Sequence, residues 1–182
     1  MSVKPSRTER LAFWRDEYAR ESFLQLREVL NFILGAPQGS RLRVWLTVSA
    51  TVLYARPFKQ RDAVRLSDAE VPKKFRTVHD DVIRHRDKAI AHRDPNADKK
   101  GVFGNDLPII STGNELFIPT TSPAMEDTLV SSLLELTGIL IPRLENRTGV
   151  FIRKYLPTPL PEGSYILSLE ENPAEWLIPA AK

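Results

Sequence analysis

Leu26-Arg27-Glu28-Val29-Leu30-Asn31-Phe32-Ile33-Leu34, ending at Gly35-Ala36-Pro37-Gln38-Gly39, decides how this chain folds. Ala19, Phe23, Leu26, Leu30 and Ile33 recur every three or four residues, which predicts one buried stripe on a helix from about Ser6 to Leu34. Leu11, Trp14 and Tyr18 carry an apolar face further toward the N-terminus, with a change of direction expected near Arg20. The glycine- and proline-containing run 35–39 then supplies a break.

Working outward, Ser40 is placed to cap a second helix, from Arg41 to about Tyr54. Its apolar side reads Leu42, Trp45, Leu46, Ser49, Val52 and Leu53. Pro57 ends it, because proline disfavours helical backbone in the residue before it. A polar loop, 59–66, leads to Ser67-Asp68-Ala69-Glu70, which has the form of a capping box. Pro72 suits the first turn of a third helix running to about His92, with Phe75, Val78, Val82, His85, Ala89 and His92 on one stripe. Asp94-Pro95 stops it.

Between 96 and 121 the pattern changes. Leu107-Pro108-Ile109-Ile110 and Glu115-Leu116-Phe117-Ile118 flank Ser111-Thr112-Gly113-Asn114, the form of a small β-hairpin. Ser122-Pro123 should open a fourth helix whose stripe is Leu129, Leu133, Leu136, Leu140 and Leu144, reaching about Tyr155. Gly138 and Pro142 inside it predict a kink, not an end. Beyond Pro157 the tail holds Pro159, Pro161, Pro173 and Pro179 and is expected to be extended or loosely packed, with Tyr165-Ile166-Leu167 and Trp176-Leu177-Ile178 docking it. The expected architecture is mainly all-α. It is an up-and-down bundle of four or five helices forming one domain over 1–156, with a hairpin insertion at 96–121 and a proline-rich tail at 157–182.

Composition narrows the functional classes. A length of 182 residues suits one core. No apolar run approaches the roughly 18–20 residues of a membrane span, and the charged N-terminus lacks the apolar segment of a signal peptide. The absence of cysteine removes disulfides, thiolate chemistry and cysteine-ligated zinc, and makes a reducing cytoplasm the simplest location. Residues 1–100 carry 21 Lys/Arg against 13 Asp/Glu, whereas 101–182 carry 5 against 10. Such asymmetry suits a nucleic-acid-facing surface or contacts with another copy, and equally a set of solvated helices.

The densest chemistry lies in Asp80-Asp81-Val82-Ile83-Arg84-His85-Arg86-Asp87-Lys88-Ala89-Ile90-Ala91-His92-Arg93-Asp94; all three histidines fall between 79 and 92. Metal binding is disfavoured. His85 and His92 would sit roughly 10 Å apart along a helix, and Asp81 with His85 makes only half a site. A neutral histidine and an arginine suffice, however, for metal-independent RNA cleavage, one moving the proton and the other stabilising charge on phosphate. In an ideal helix Arg86 and His92 are about 9 Å apart axially and some 120° apart around it, so convergence needs local unwinding or a second subunit. The alternative is structural: His92 against the helix C-terminus, and Arg86 paired with nearby carboxylates.

Arg86-Asp87-x4-His92, within Arg86-Asp87-Lys88-Ala89-Ile90-Ala91-His92-Arg93-Asp94, resembles the signature of the HEPN superfamily, in the wording of bacterial abortive-infection-type proteins. Val52-Leu53-Tyr54-Ala55-Arg56-Pro57-Phe58 is similar to a segment that precedes the signature there. The resemblance covers about 10–95 and, by helix order, 124–155. It implies a helical bundle, commonly a homodimer with the motifs facing each other. It implies a metal-independent endoribonuclease site of Arg86 and His92, with Asp87 orienting the arginine or the substrate and no cofactor. Lys88, Arg84 and Arg93 are then phosphate contacts. The partners implied are RNA and a cognate antitoxin or nucleotidyltransferase. Many such proteins are instead non-catalytic dimerisation or binding modules, and this second reading stands beside the first. The 96–121 insertion and the tail depart from the pattern.

Overall fold

The computed structural model describes residues 4–60, 64–87, 110, 111, 113, 116, 117 and 124–180. Four α-helices make the body among these: α1 (Arg7–Gly35), α2 (Arg41–Ala55), α3 (Arg76–His85) and α4 (Asp127–Tyr155). The chain is therefore mainly helical, a bundle with a small β-hairpin.

Helix α1 begins with a capping box, in which the Ser6 hydroxyl accepts the Glu9 N–H and the Glu9 carboxylate accepts the Ser6 N–H. It runs unbroken through Arg20. Ala19, Phe23, Leu26, Leu30 and Ile33 are fully buried. They meet Val130, Leu133, Leu136, Leu140 and Leu144 of α4 in the central packing of the molecule. Burying each of these leucines is worth about 2 kcal/mol, so this pair of stripes holds the fold. Leu11, Trp14 and Tyr18 are only half-buried, with Trp14 and Tyr18 stacked 5.0 Å apart.

The α1–α2 connection turns at Gly39, whose φ of 76° lies in the left-handed region that glycine occupies without strain. Ser40 caps α2 through the Arg43 N–H, as expected. The face α2 buries is not the one its apolar spacing indicates. Leu42 and Trp45 are 53% and 65% exposed, while Arg43, Thr47, Ala50, Thr51 and Tyr54 lie against the bundle. Arg43 decides the rotation. Its guanidinium donates to the carbonyls of Ile33 and Ala36 at the end of α1 and of Met125 before α4, and it pairs with Asp127. Thr47 accepts the Met125 N–H at 2.9 Å and returns a bond to the Arg43 carbonyl, so the buried polar side is satisfied throughout.

Helix α3 follows two short 3₁₀ turns, Asp68–Glu70 capped by Ser67 and Lys73–Phe75 after Pro72, so the α-helix proper starts at Arg76, later than expected. Helix α4 starts at Asp127; the expected cap Ser122-Pro123 lies outside the described residues. It passes through Pro142 without ending. The hairpin strands β1 (Ile110–Ser111) and β2 (Leu116–Phe117) pair antiparallel, Ile110 with Phe117 and Ser111 with Leu116. The tail is more ordered than loose packing would give. β3 (Tyr165–Leu167) and β4 (Leu177–Pro179) pair antiparallel, with Ile166 opposite Ile178. Arg10, 1% exposed, fastens this hairpin to α1 by donating to the carbonyls of Ser168 and Glu170 as well as Pro5. Trp176 meets Phe151 edge-on. No helix among the described residues is long and apolar enough to cross a membrane.

Candidate functional site at the end of helix α3

Helix α3 buries His79, Val82 and His85 along one side, at three-residue spacing; Arg84 lies on the opposite side, while Arg86, one turn beyond Val82, stays partly exposed at the helix end. Arg86 keeps helical backbone angles at the helix C-terminus and donates its N–H to the carbonyls of Val82 and Ile83. Its guanidinium Nη1 lies 3.0 Å from Asp87 Oδ1. The other carboxylate oxygen, Asp87 Oδ2, accepts from Lys59 Nζ at 2.6 Å. One carboxylate thus stands between two cations, with each of the three side chains about one-third exposed. Partial burial alone would raise the Asp87 carboxyl; the bonds from Lys59 and Arg86 outweigh it and hold it below the ordinary aspartate range.

Lys59 reaches this point because the turn before it is pinned. Pro57 and Phe58 are buried, and the Phe58 ring lies edge-on to His79 of α3 at 4.6 Å and tilted against Tyr54 at 5.5 Å. The Pro57 carbonyl accepts the Leu66 N–H. The end of α2 is therefore packed against the first turns of α3, and Lys59 follows.

Arg84 has a different partner, Asp81, three residues back at 2.9 Å. The structural reading pairs Arg86 with nearby carboxylates, and its partner is the adjacent Asp87, while Asp81 is taken by Arg84. His92, Lys88 and Arg93 lie outside the described residues, so of the expected site the structure brings together Arg86 and Asp87, with Arg84 held apart from them by Asp81. Lys59 is the functional candidate that sequence reasoning passes over. It sits in a polar loop 28 residues from Asp87, and only the buried Pro57-Phe58 pair signals that its position is fixed.

The two described histidines have core environments. His79 Nδ1 is 2.8 Å from the buried Tyr54 hydroxyl and its Nε2 is 3.5 Å from Asp68. A tautomer carrying its proton on Nε2 lets Tyr54 donate to Nδ1. Burial lowers the His79 pKa against the opposing pull of Asp68 and Asp80. Burial pushes His85 down to about 4, leaving it neutral near pH 7. Burial also raises the Tyr54 hydroxyl, so it stays protonated. Tyr54 and His79 bond each other inside the core, and both histidines are buried. No group of three or more metal-ligating side chains occurs among the described residues.

Chemically, two cations sharing one carboxylate at a helix end suit recognition of an anion such as phosphate, which can take the place of the carboxylate on either cation. Comparison with protein-family models, curated proteins and solved structures found no match for this chain.

Proposed function

We propose that the chain is a HEPN-like, metal-independent endoribonuclease of the toxin or phage-defence type, acting in the cytoplasm. Arg86 and His92 form the catalytic pair, and Asp87 orients the arginine. His92 takes the proton from a ribose 2′-hydroxyl. The 2′-oxygen bonds to the adjacent phosphorus, the bond from phosphorus to the 5′-oxygen breaks, and that oxygen leaves with a proton taken from water. The products are a 2′,3′-cyclic phosphate and a 5′-hydroxyl. Arg86 stabilises the negative charge that gathers on the phosphoryl oxygens. The reaction needs no cofactor. Lys88, Arg84 and Arg93 contribute contacts to neighbouring phosphates. A second copy, and a cognate antitoxin or nucleotidyltransferase, are the protein partners of this reading.

The observation that supports it is the placement of Arg86. It is partly exposed at a helix end, with its guanidinium held by Asp87 and a second cation, Lys59, on the same carboxylate. A buried arginine locked among carbonyls, such as Arg10 or Arg43, has no such access to a substrate.

The test is incubation of purified wild type, Arg86→Ala and His92→Ala with mixed cellular RNA in EDTA, with products resolved on a gel. Cleavage by wild type and by neither variant is the expected result. Intact RNA with all three, at high protein concentration and several salt concentrations, overturns the nuclease reading. It would leave a non-catalytic HEPN-like dimerisation or binding module.

A further inference from the structure

Phe58 sits between two helices, its ring tilted against Phe23 of α1 at 6.1 Å and edge-on to His79 of α3 at 4.6 Å. The two residues after it reach those same helices. Lys59 bonds Asp87 just past α3, and the Gln60 side-chain amide donates to the Tyr18 hydroxyl on α1 at 3.0 Å. Tyr18 in turn stacks on Trp14, one helical turn earlier, with ring centroids 5.0 Å apart and planes 10° from parallel. Both rings are only half-buried, whereas Ala19 and Phe23 on the core side of α1 are fully buried. Consecutive residues of one turn therefore tie a near-parallel aromatic pair and the Lys59–Asp87–Arg86 cluster together.

Each half of this juxtaposition has its counterpart in a nucleic acid. Lys59 and Arg86 share a single carboxylate, so the cluster keeps one net positive charge for a phosphate and is one-third exposed. A flat aromatic face takes a flat base by stacking, whatever the sequence, because every base has a π-face. Within a duplex both faces of a base are covered by its neighbours, so such a platform takes only an unpaired base. Consecutive Cα atoms are about 3.8 Å apart, so contacts made around Lys59 and Gln60 fall within a few nucleotides of one extended strand. We propose that Trp14 and Tyr18 are a base-stacking platform beside the Arg86 end of α3, and that the chain binds single-stranded RNA there. A phosphate lies on Lys59 and Arg86, and a flanking unpaired base lies on the rings. This rests on the reading of the Arg86 end as an RNA site, and it does not require that the strand be cut.

Fluorescence anisotropy of a dye-labelled 2′-O-methyl RNA of about 12 nucleotides tests it. The blocked 2′-oxygen prevents cleavage, so binding is read apart from catalysis. The full chain is titrated in EDTA at low salt against the strand alone and against the strand annealed to its complement. Wild type is expected to prefer the single strand by about tenfold or more. Trp14→Leu and Tyr18→Leu, checked for folding by circular dichroism, should each weaken single-strand binding by about tenfold and leave duplex binding unchanged. Lys59→Ala should weaken binding of both forms. Equal affinity of the wild type for the two forms, or binding of neither, overturns the proposal without recourse to a variant. So does single-strand binding that survives unchanged in both folded ring variants, or in Lys59→Ala. A single-strand preference carried by the rings, together with natural RNA left uncut, upholds the platform and removes the nuclease reading.

Discussion

At His85, burial and protonation oppose each other, and stability pays for it in acid. The folded imidazole has its pKa pushed down to about 4, against an ordinary value of 6.5. Between those two pH values the unfolded chain binds a proton that the folded chain refuses. Stability is therefore complete above about 6.5 and declines as pH falls toward 4, by roughly 3 kcal/mol for this one group. His79 is shifted in the same direction and adds to the loss. Glu9, lowered to about 2 by the Tyr155 hydroxyl, Ser6 and Lys154, contributes only at more acid pH. Denaturant unfolding at pH 7 and pH 5 should show a clear drop in stability at pH 5, and His85→Leu should remove part of that drop. An unchanged slope in His85→Leu would contradict the assignment. The surface trio behaves differently. Ion pairs at this exposure contribute under about 1 kcal/mol, so Asp87→Asn and Lys59→Ala should leave the melting temperature nearly unchanged. If Arg86 acts on RNA, Asp87→Asn should still cost about a hundredfold in cleavage rate, because a loosened guanidinium is misplaced relative to the phosphate. Equal losses of rate and stability would make Asp87 merely structural.

At the scale of elements, the long stripes of α1 and α4 were legible because their apolar period repeats over many turns and nothing competes with it. Helix α2 was misleading for a physical reason. Its apolar side, Leu42 and Trp45 foremost, points outward, and a side containing Arg43, Thr47 and Thr51 is buried. Periodicity cannot show that carbonyls from two other helix ends wait for that guanidinium. Arg43 joins the last turn of α1, where a cation is favoured by the helix dipole, to the first residue of α4. Arg43→Met should therefore destabilise the protein by about 3 kcal/mol or more, through buried carbonyls left without a donor, as measured by urea unfolding. Arg41→Met, an exposed change two residues away, should cost under about 0.5 kcal/mol. The site was legible only in part for a related reason. Arg84, Arg86 and Asp87 stand together in sequence, but Lys59 reaches Asp87 through the packing of Phe58 on His79.

Over the whole molecule, the tail is where sequence and structure diverge most. Prolines at 157, 159, 161, 173 and 179 read as loose chain, since they mark neither helix period nor strand alternation. What orders the tail is one long-range contact, the Arg10 guanidinium donating to Ser168 and Glu170 carbonyls some 160 residues away, backed by Lys4 on the Pro173 carbonyl and Trp176 on Phe151. Such a clamp acts on the tail more than on the bundle, because the main core of α1 and α4 lies elsewhere. Truncation after Leu156 should accordingly leave the helical circular dichroism intact while lowering the melting temperature by several degrees, through loss of Trp176 packing and renewed exposure of Phe151. Arg10→Met separates the clamp from the strands themselves. It removes the donors but keeps Tyr165–Leu167 and Leu177–Pro179, and a two-stranded hairpin is marginal without support. Limited proteolysis should therefore cut Arg10→Met within 157–180 much faster than wild type, leaving a stable helical fragment. Equal cutting rates would mean that the hairpin stands without Arg10, held by Lys4, by Arg7 on the Leu169 carbonyl and by Trp176.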